Sequence, residues 1–205
     1  MIRKILIYYK SDGIKETITF IIKSLMSFIY KNSTTNFYKS GNTTYNLEIP
    51  QHKNITIKEI TTSELMNIKF PRLELLPCKK WMQNGSKLYI CFFQDKPIAF
   101  TWSHFNNYQI HGVGKFTLKQ DEYWIGPTFV HKNYRGLGLN KYQIHFQMSK
   151  NKEKIAVTSV NHNNIASIKS FEHWNFSLIG QVFYKRSLFK QNISFSNNEL
   201  KQLIR

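Results

Sequence analysis

Acidic residues are scarce in this chain: 12 Asp and Glu stand against 29 Lys and Arg, a formal net charge of +17. Such a balance fits a polyanionic partner, whether nucleic acid, an anionic membrane surface or a phosphate-rich cofactor. The basic residues are scattered, however, with no block of five or six like charges, and Lys, Asn and Ile are abundant together, as compositional bias alone would make them. That scatter argues against a specific nucleic-acid binder. Cysteine is also sparse. Cys78 and Cys91 are too few for a disulfide scaffold and form no CxxC pair. The seven histidines are dispersed, with no HxxxH pair and no Cys/His cluster, so no metal site is expected.

Long apolar runs are missing too. The opening segment from Met1 to Tyr9 is too short an apolar stretch for a signal peptide. The stretch from Ile14 to Tyr30 is interrupted by Lys15, Glu16 and Lys23 and is too short and polar to span a bilayer. It reads as a core helix or, as the alternative, an interfacial one. The chain therefore reads as cytoplasmic with no transmembrane segment. What is present is a chain of 205 residues, 41% hydrophobic and 15% aromatic, enough to build a core that offsets the entropy of ordering.

Three segments are expected. Residues 1–50 read as an N-terminal extension: a strand from Lys4 to Tyr9, a turn at Ser11-Asp12-Gly13, the helix just described, and a polar linker from Asn32 to Asn46. Residues 51–190 form the main domain, and residues 191–205 a polar tail. In the main domain Ile55, Ile57 and Ile60 mark a strand. Thr61 and Glu64 are spaced as a capping box, and Pro71 and Pro77 break the helical region that follows. Lys87 to Phe93 and Ile98 to Phe105 read as a hairpin turned at Asp95-Lys96-Pro97. Glu122 to Val130 is a strand in which Pro127 removes a ladder donor and predicts a bulge or splay. Ile155 to Val160, a helix over Asn164 to Trp174 and strand from Phe176 to Leu188 complete an α+β sandwich around a mixed sheet.

The segment Phe129-Val-His-Lys-Asn-Tyr-Arg135-Gly136-Leu137-Gly138-Leu139-Asn140 carries the chemistry. Two glycines let successive amides converge on one point, and a following helix would add the positive end of its dipole. Arg135 and Lys132 add charge for phosphate oxygens. Beyond Asn140 the periodicity is ambiguous: Tyr142, Ile144, Phe146 and Met148 alternate like a strand, while Leu139, Tyr142 and Phe146 fit a helical face.

Val130 to Asn140 resembles the cofactor signature of the GNAT superfamily of acyl-CoA-dependent N-acyltransferases, Gln/Arg-x-x-Gly-x-Gly/Ala after a strand and opening a helix. Arg135 and Gly138 match, and Asn140 stands at the final Gly/Ala. Asn164 to Phe176 is similar to the superfamily's second signature, with Asn164, Ser167, Glu172 and Phe176 matching and Asn175 at the usual Gly.

The resemblance implies a GNAT-like mixed central sheet with helices on both faces and a splayed strand pair at the cofactor cleft. It implies acetyl-CoA or another acyl-CoA as co-substrate. Backbone around Phe129 and Val130 would meet the pantetheine arm, and amides of Arg135, Gly136, Leu137, Gly138, Leu139 and Asn140 would hold the diphosphate, with Asn164 and Phe171 beside it. Phe171 occupies the position of a Tyr that many members use as acid and cannot donate a proton. Tyr123, Tyr134, His131, His162, His173 or water are the substitutes. Glu122 is the base candidate, with His131 as an alternative. Trp81, Trp102 and Trp124 line an acceptor pocket or pack the core. The expected acceptor is a small-molecule amine such as an amino sugar, or a protein amine; the oligomeric state is left open, with a homodimer among the options. A non-catalytic acyl-CoA-binding or regulatory protein is the alternative.

Overall fold

The computed structural model describes residues 2–41, 54–110, 112–188 and 190–204. The chain begins with two helices, α1 (Ile2–Asp12) and α2 (Ile14–Ile29), joined at Gly13, whose positive φ of 89° suits glycine. Strand β1 (Tyr30–Ser40) follows directly. Next come β2 (Ile55–Ile60), α3 (Thr62–Leu65), a 3-10 turn over Leu73–Leu75 and α4 (Cys78–Gln83). The hairpin β3 (Lys87–Phe93) and β4 (Lys96–His104) leads to a small ribbon of β5 (Tyr108–Ile110) and β6 (Gly114–Phe116). Then follow β7 (Glu122–Val130), α5 (Leu139–Lys150), β8 (Ile155–Asn161), α6 (Ile165–Glu172), β9 (Phe176–Ser187), β10 (Gln191–Phe195) and α7 (Asn198–Leu203).

Eight strands form one mixed sheet in the order β10-β9-β1-β8-β7-β4-β3-β2. Strand alternation sends Tyr123, Ile125 and Ala156 to one face, where they pack with Ile144 of α5 and with Ile168 and Phe171 of α6. Trp124, Val157 and Phe37 point to the other face, against Ile110, Phe116 and Leu200. On that second face Leu88, Ile90, Phe100 and Trp102 bury Leu73 and Cys78. The α+β class, the mixed sheet and the helices on both faces agree with the sequence reading.

Three expectations are corrected. Lys4 to Tyr9 lie in α1, not in a strand: Ile7 is buried and Tyr8 stacks on Phe20 of α2 at 4.0 Å, so the apolar residues serve a helix–helix contact. The described part of the polar linker, Asn32 to Gly41, is mostly strand β1, inserted between β8 and β9. Its polar side chains are answered inside the sheet. Gln181 Nε2 donates to Asn36 Oδ1 at 2.9 Å, and Ser40 Oγ accepts from the Ala156 amide at 2.9 Å. Residues 42–53, which hold the rest of that linker and the expected domain boundary, lie outside the described residues. The tail is not a free polar segment either: β10 pairs with β9, and Leu200 of α7 is buried in the core.

Candidate active site

Strands β7 and β8 are parallel neighbours only at their starts, with Glu122, Tyr123 and Trp124 opposite Ile155, Ala156 and Val157. Beyond Trp124 they diverge. On its other side β7 bulges against β4, for Thr101 faces Thr128 while Ser103 faces Ile125, leaving Gly126 and Pro127 together in the gap. The bulge expected at Pro127 is therefore present, and it coincides with the point of divergence. Thr158 Oγ1 of β8 donates to the Ile125 carbonyl at 2.9 Å, closing the vertex.

The opening is a cleft of about 280 Å³. Gly126, Pro127 and Thr128 form one wall, Thr158 to Asn161 the other, and Asn140, Asn164, Ser167 and Phe171 stand at its helical side. Trp124 and Tyr108 stack at 4.7 Å on the opposite side. Among the described residues, no Asp, Glu or His lines it.

After β7 the chain makes a short 3-10 turn over Lys132–Tyr134 and enters α5 through Gly136 (φ 85°) and Gly138 (φ 72°). A Cβ at either glycine would meet nothing within 4 Å, so backbone conformation and not crowding is what calls for glycine there. Gly138 caps α5 without any side-chain hydrogen bond, which leaves the first amides of the helix without an intrahelical acceptor. The arrangement fits an anion at the mouth of the cleft. The region after Asn140 is helical. Gln143, His145 and Gln147 are buried alongside Tyr142 and Ile144, which explains why no clean apolar stripe was legible.

The cations of this loop already have a partner. Arg135 Nε donates to the Val130 carbonyl at 3.2 Å and its Nη2 lies 3.4 Å from Asp12 Oδ1, while Lys132 Nζ donates to the Asp12 carbonyl at 2.8 Å. Arg72 also pairs with the buried Asp12 carboxylate, with its guanidinium stacked on Tyr8 at 3.6 Å. Asp12 and Arg72 had no signal in the sequence, since neither lies in the glycine motif.

Asn140, Asn164 and Phe171 are brought together in the cleft. Asn164 caps α6, its Oδ1 accepting from the Ser167 amide at 3.3 Å. Arg135, Gly136, Leu137, Gly138 and Leu139 form the loop at its mouth, where Leu137 is exposed and Leu139 turns inward against Tyr142. Val130 and Phe129 finish β7; the Phe129 side chain packs away from the cleft against Phe70 and Phe100.

The three acid–base candidates are not brought into the cleft. Glu122 is buried at the closed end of β7, bound to Lys39 Nζ at 2.7 Å and to the Lys119 amide at 2.9 Å. Tyr123 is fully buried, and burial pushes its pKa far upward. His131 caps the 3-10 turn beyond the strand; partial burial, then Lys96, lowers its pKa, with Asp12 opposing. Of the tryptophans, Trp102 packs in the core, Trp81 meets it edge-on at 5.1 Å, and only Trp124 lines the cleft.

Beside the bulge, His104 was not singled out by sequence. It is buried, its Nδ1 lies 2.8 Å from Ser86 Oγ, and its ring packs against Trp81 and Tyr108. Burial lowers its pKa to about 4, opposed by the Gly126 carbonyl.

The described fold is similar to that of solved structures. An acetyltransferase of the GNAT family from Colwellia psychrerythraea superposes with a TM-score of 0.53 at 15% identity, over 76% of this chain and 56% of that one. This is the GNAT fold. A tandem GNAT protein of the clavulanic acid biosynthesis pathway shares it with a TM-score of 0.53 at 12% identity, over 78% of this chain and 55% of its own. A GCN5-related N-acetyltransferase-like protein from Streptococcus suis shares it at 0.51 and 12% identity, over 82% and 67%. The chain thus spans between about half and two thirds of these GNAT-fold structures. No family model matches the sequence, and no curated relative matches it.

Proposed function

We propose that this protein is an acyl-CoA-dependent N-acyltransferase, transferring an acetyl or other short acyl group directly to an amine. The observation that carries the reading is the coincidence, at one end of the sheet, of the β7/β8 cleft with the open Gly136–Gly138 loop and the uncapped start of α5. Backbone amides from Gly136 to Lys141 would hold the diphosphate, with Lys132 and Arg135 supplying charge. Asn140, Asn164 and Ser167 would meet polar groups of the pantetheine arm. The thioester, when bound, supplies the activated acyl group.

The residues present limit how protons are handled. Phe171 lines the cleft without a donor, whereas Tyr108 lines it with a phenol whose pKa burial raises to about 12. Tyr108 is therefore a protonated group at neutral pH and takes the donor role that Phe171 cannot fill. His131, with its lowered pKa, is neutral at that pH and is the remaining base candidate. The acceptor proposed is a small amine, with an amino sugar as the first class to try and a protein amine as the second. Phe171, which lines the cleft and cannot donate a proton, favours a second reading, a non-catalytic acyl-CoA-binding protein. Thioester cleavage over a panel of amines separates the two.

The test is calorimetric binding of acetyl-CoA to the wild type, Gly138→Asn and Gly138→Asp. Both side chains tolerate the left-handed backbone of residue 138, and only Asp adds a negative charge. Binding by the wild type, largely kept by Gly138→Asn and weakened at least about tenfold in Gly138→Asp, supports the cradle. A folded wild type that binds neither acetyl-CoA nor longer acyl-CoAs overturns it.

A further inference from the structure

Helix α2 is amphipathic in the opposite sense to a helix laid on its own core. Among its described side chains, Thr17, Phe20, Ile21, Ser24 and Ser27 are the buried or half-buried ones. Ile14, Ile18, Ile22, Leu25 and Met26 are all more than half exposed. At 100° per residue these five form one continuous stripe, about 18 Å long at 1.5 Å per residue. Ile2, Leu6 and Tyr9 of α1, spaced i, i+4, i+7, are likewise more than half exposed. Scattered exposed apolar residues are ordinary, but aligned ones on adjacent helices mark a contact surface.

The charge around this surface identifies the partner. Arg3, Lys4, Lys10, Lys15 and Lys23 are exposed on the two helices, and Glu16 is the one exposed carboxylate among the described residues there. Asp12, the other acid, is buried and paired with Arg72 and Arg135. A second copy of a chain carrying +17 would bring like charges together across the face. An anionic bilayer would attract the lysines and accept the apolar stripe at the headgroup boundary. At 16 residues α2 is too short to cross the hydrocarbon core, and no helix among the described residues is long and apolar enough to do so.

We infer that the outer face of α1 and α2 docks this protein on an anionic lipid surface, lying in the interfacial plane. The placement gives docking a consequence for the cleft. One end of α2 is fastened through Asp12 to Lys132 and Arg135 after β7, and the other runs into β1, which pairs with the end of β8 at Asn161. Docking would hold the open end of the cleft near the membrane. The inference stands on the exposed stripe and its charges and does not require acyl-CoA binding.

The test is co-sedimentation of the full chain with phosphatidylcholine vesicles, with and without phosphatidylglycerol, alongside light scattering for oligomeric state. The wild type is expected to pellet with phosphatidylglycerol vesicles and not with phosphatidylcholine alone. Ile18→Asp/Ile22→Asp should lower partitioning at least about tenfold, and Lys15→Glu/Lys23→Glu should weaken it as well. Both pairs point outward, so melting temperatures should stay near wild type; Leu25→Asp/Met26→Asp replaces the first pair if it melts early. A wild type that ignores anionic vesicles overturns the inference. So do apolar-stripe variants that bind like wild type, which would reduce the effect to net charge, or a wild-type dimer that these variants dissociate.

Discussion

The Asp12 carboxylate lies 3.4 Å from the Arg135 guanidinium, so a helix corner 123 residues away supplies the counter-charge for the loop proposed to bind diphosphate. The contact sets two requirements on Asp12. It neutralises a buried cluster with Arg72, and it competes for a cation that a phosphate would use. Asp12→Ala should destabilise the fold by about 2 kcal/mol, because Arg72 is left mostly buried without its partner. Urea denaturation measures that cost. At temperatures where the variant is folded, acetyl-CoA binding should become tighter, and unchanged affinity would show that Arg135 takes no part in the site.

Glu122 gives the opposite kind of prediction. It is buried, ion-paired with Lys39 and not among the residues that line the cleft. Glu122→Gln is expected to lower stability by about 1–3 kcal/mol while leaving turnover within about twofold of wild type. A loss of kcat by orders of magnitude in a stable variant would restore Glu122 as the base.

His104 makes stability depend on pH. Its folded pKa, about 4, lies below the ordinary value near 6.5, so the unfolded chain binds more protons between those limits. Stability contributed by the neutral ring is present above about pH 6.5 and is lost as pH falls toward 4, by up to about 3 kcal/mol. Denaturation midpoints across that window should fall less steeply with acid in His104→Gln than in the wild type. Equal slopes would show that the ring is not held neutral by burial.

Much of the cleft and of its glycine loop was legible because their geometry depends on backbone punctuation. The glycines at 136 and 138, Pro127 beside Gly126, the Asn164 cap and the left-handed Asn175 (φ 55°) each impose a local geometry whatever the surroundings. The Thr61–Glu64 capping box is formed for the same reason. Residues whose role arises from distant packing could not be read that way. Asp12 acquires its meaning from Arg72 and Arg135, and His104 from Ser86 and three aromatic rings. Strand β1 was missed because Asn, Ser and Thr carry no alternating apolar signal; its place is set by Phe37 and Tyr38 and by neighbours more than a hundred residues away. Glu122 and Tyr123 fall outside the cleft lining for a related reason. Strand alternation predicts which side of the sheet a residue takes, but not whether the neighbouring strand has already diverged at that level.

The position of β1 has a consequence for how the chain is made. The strand leaves the ribosome well before its two partners, β8 and β9, which follow more than a hundred residues later. Until then the growing sheet has a missing rib, and β1 waits with both of its edges unpaired. Such long-range closure is slow and leaves strand edges open to other chains. Its polar sequence, rich in Asn, Ser, Thr and Lys, makes that wait safer than an apolar strand would. Closure of the sheet is thereby deferred until β8 and β9 have been made and take β1 between them.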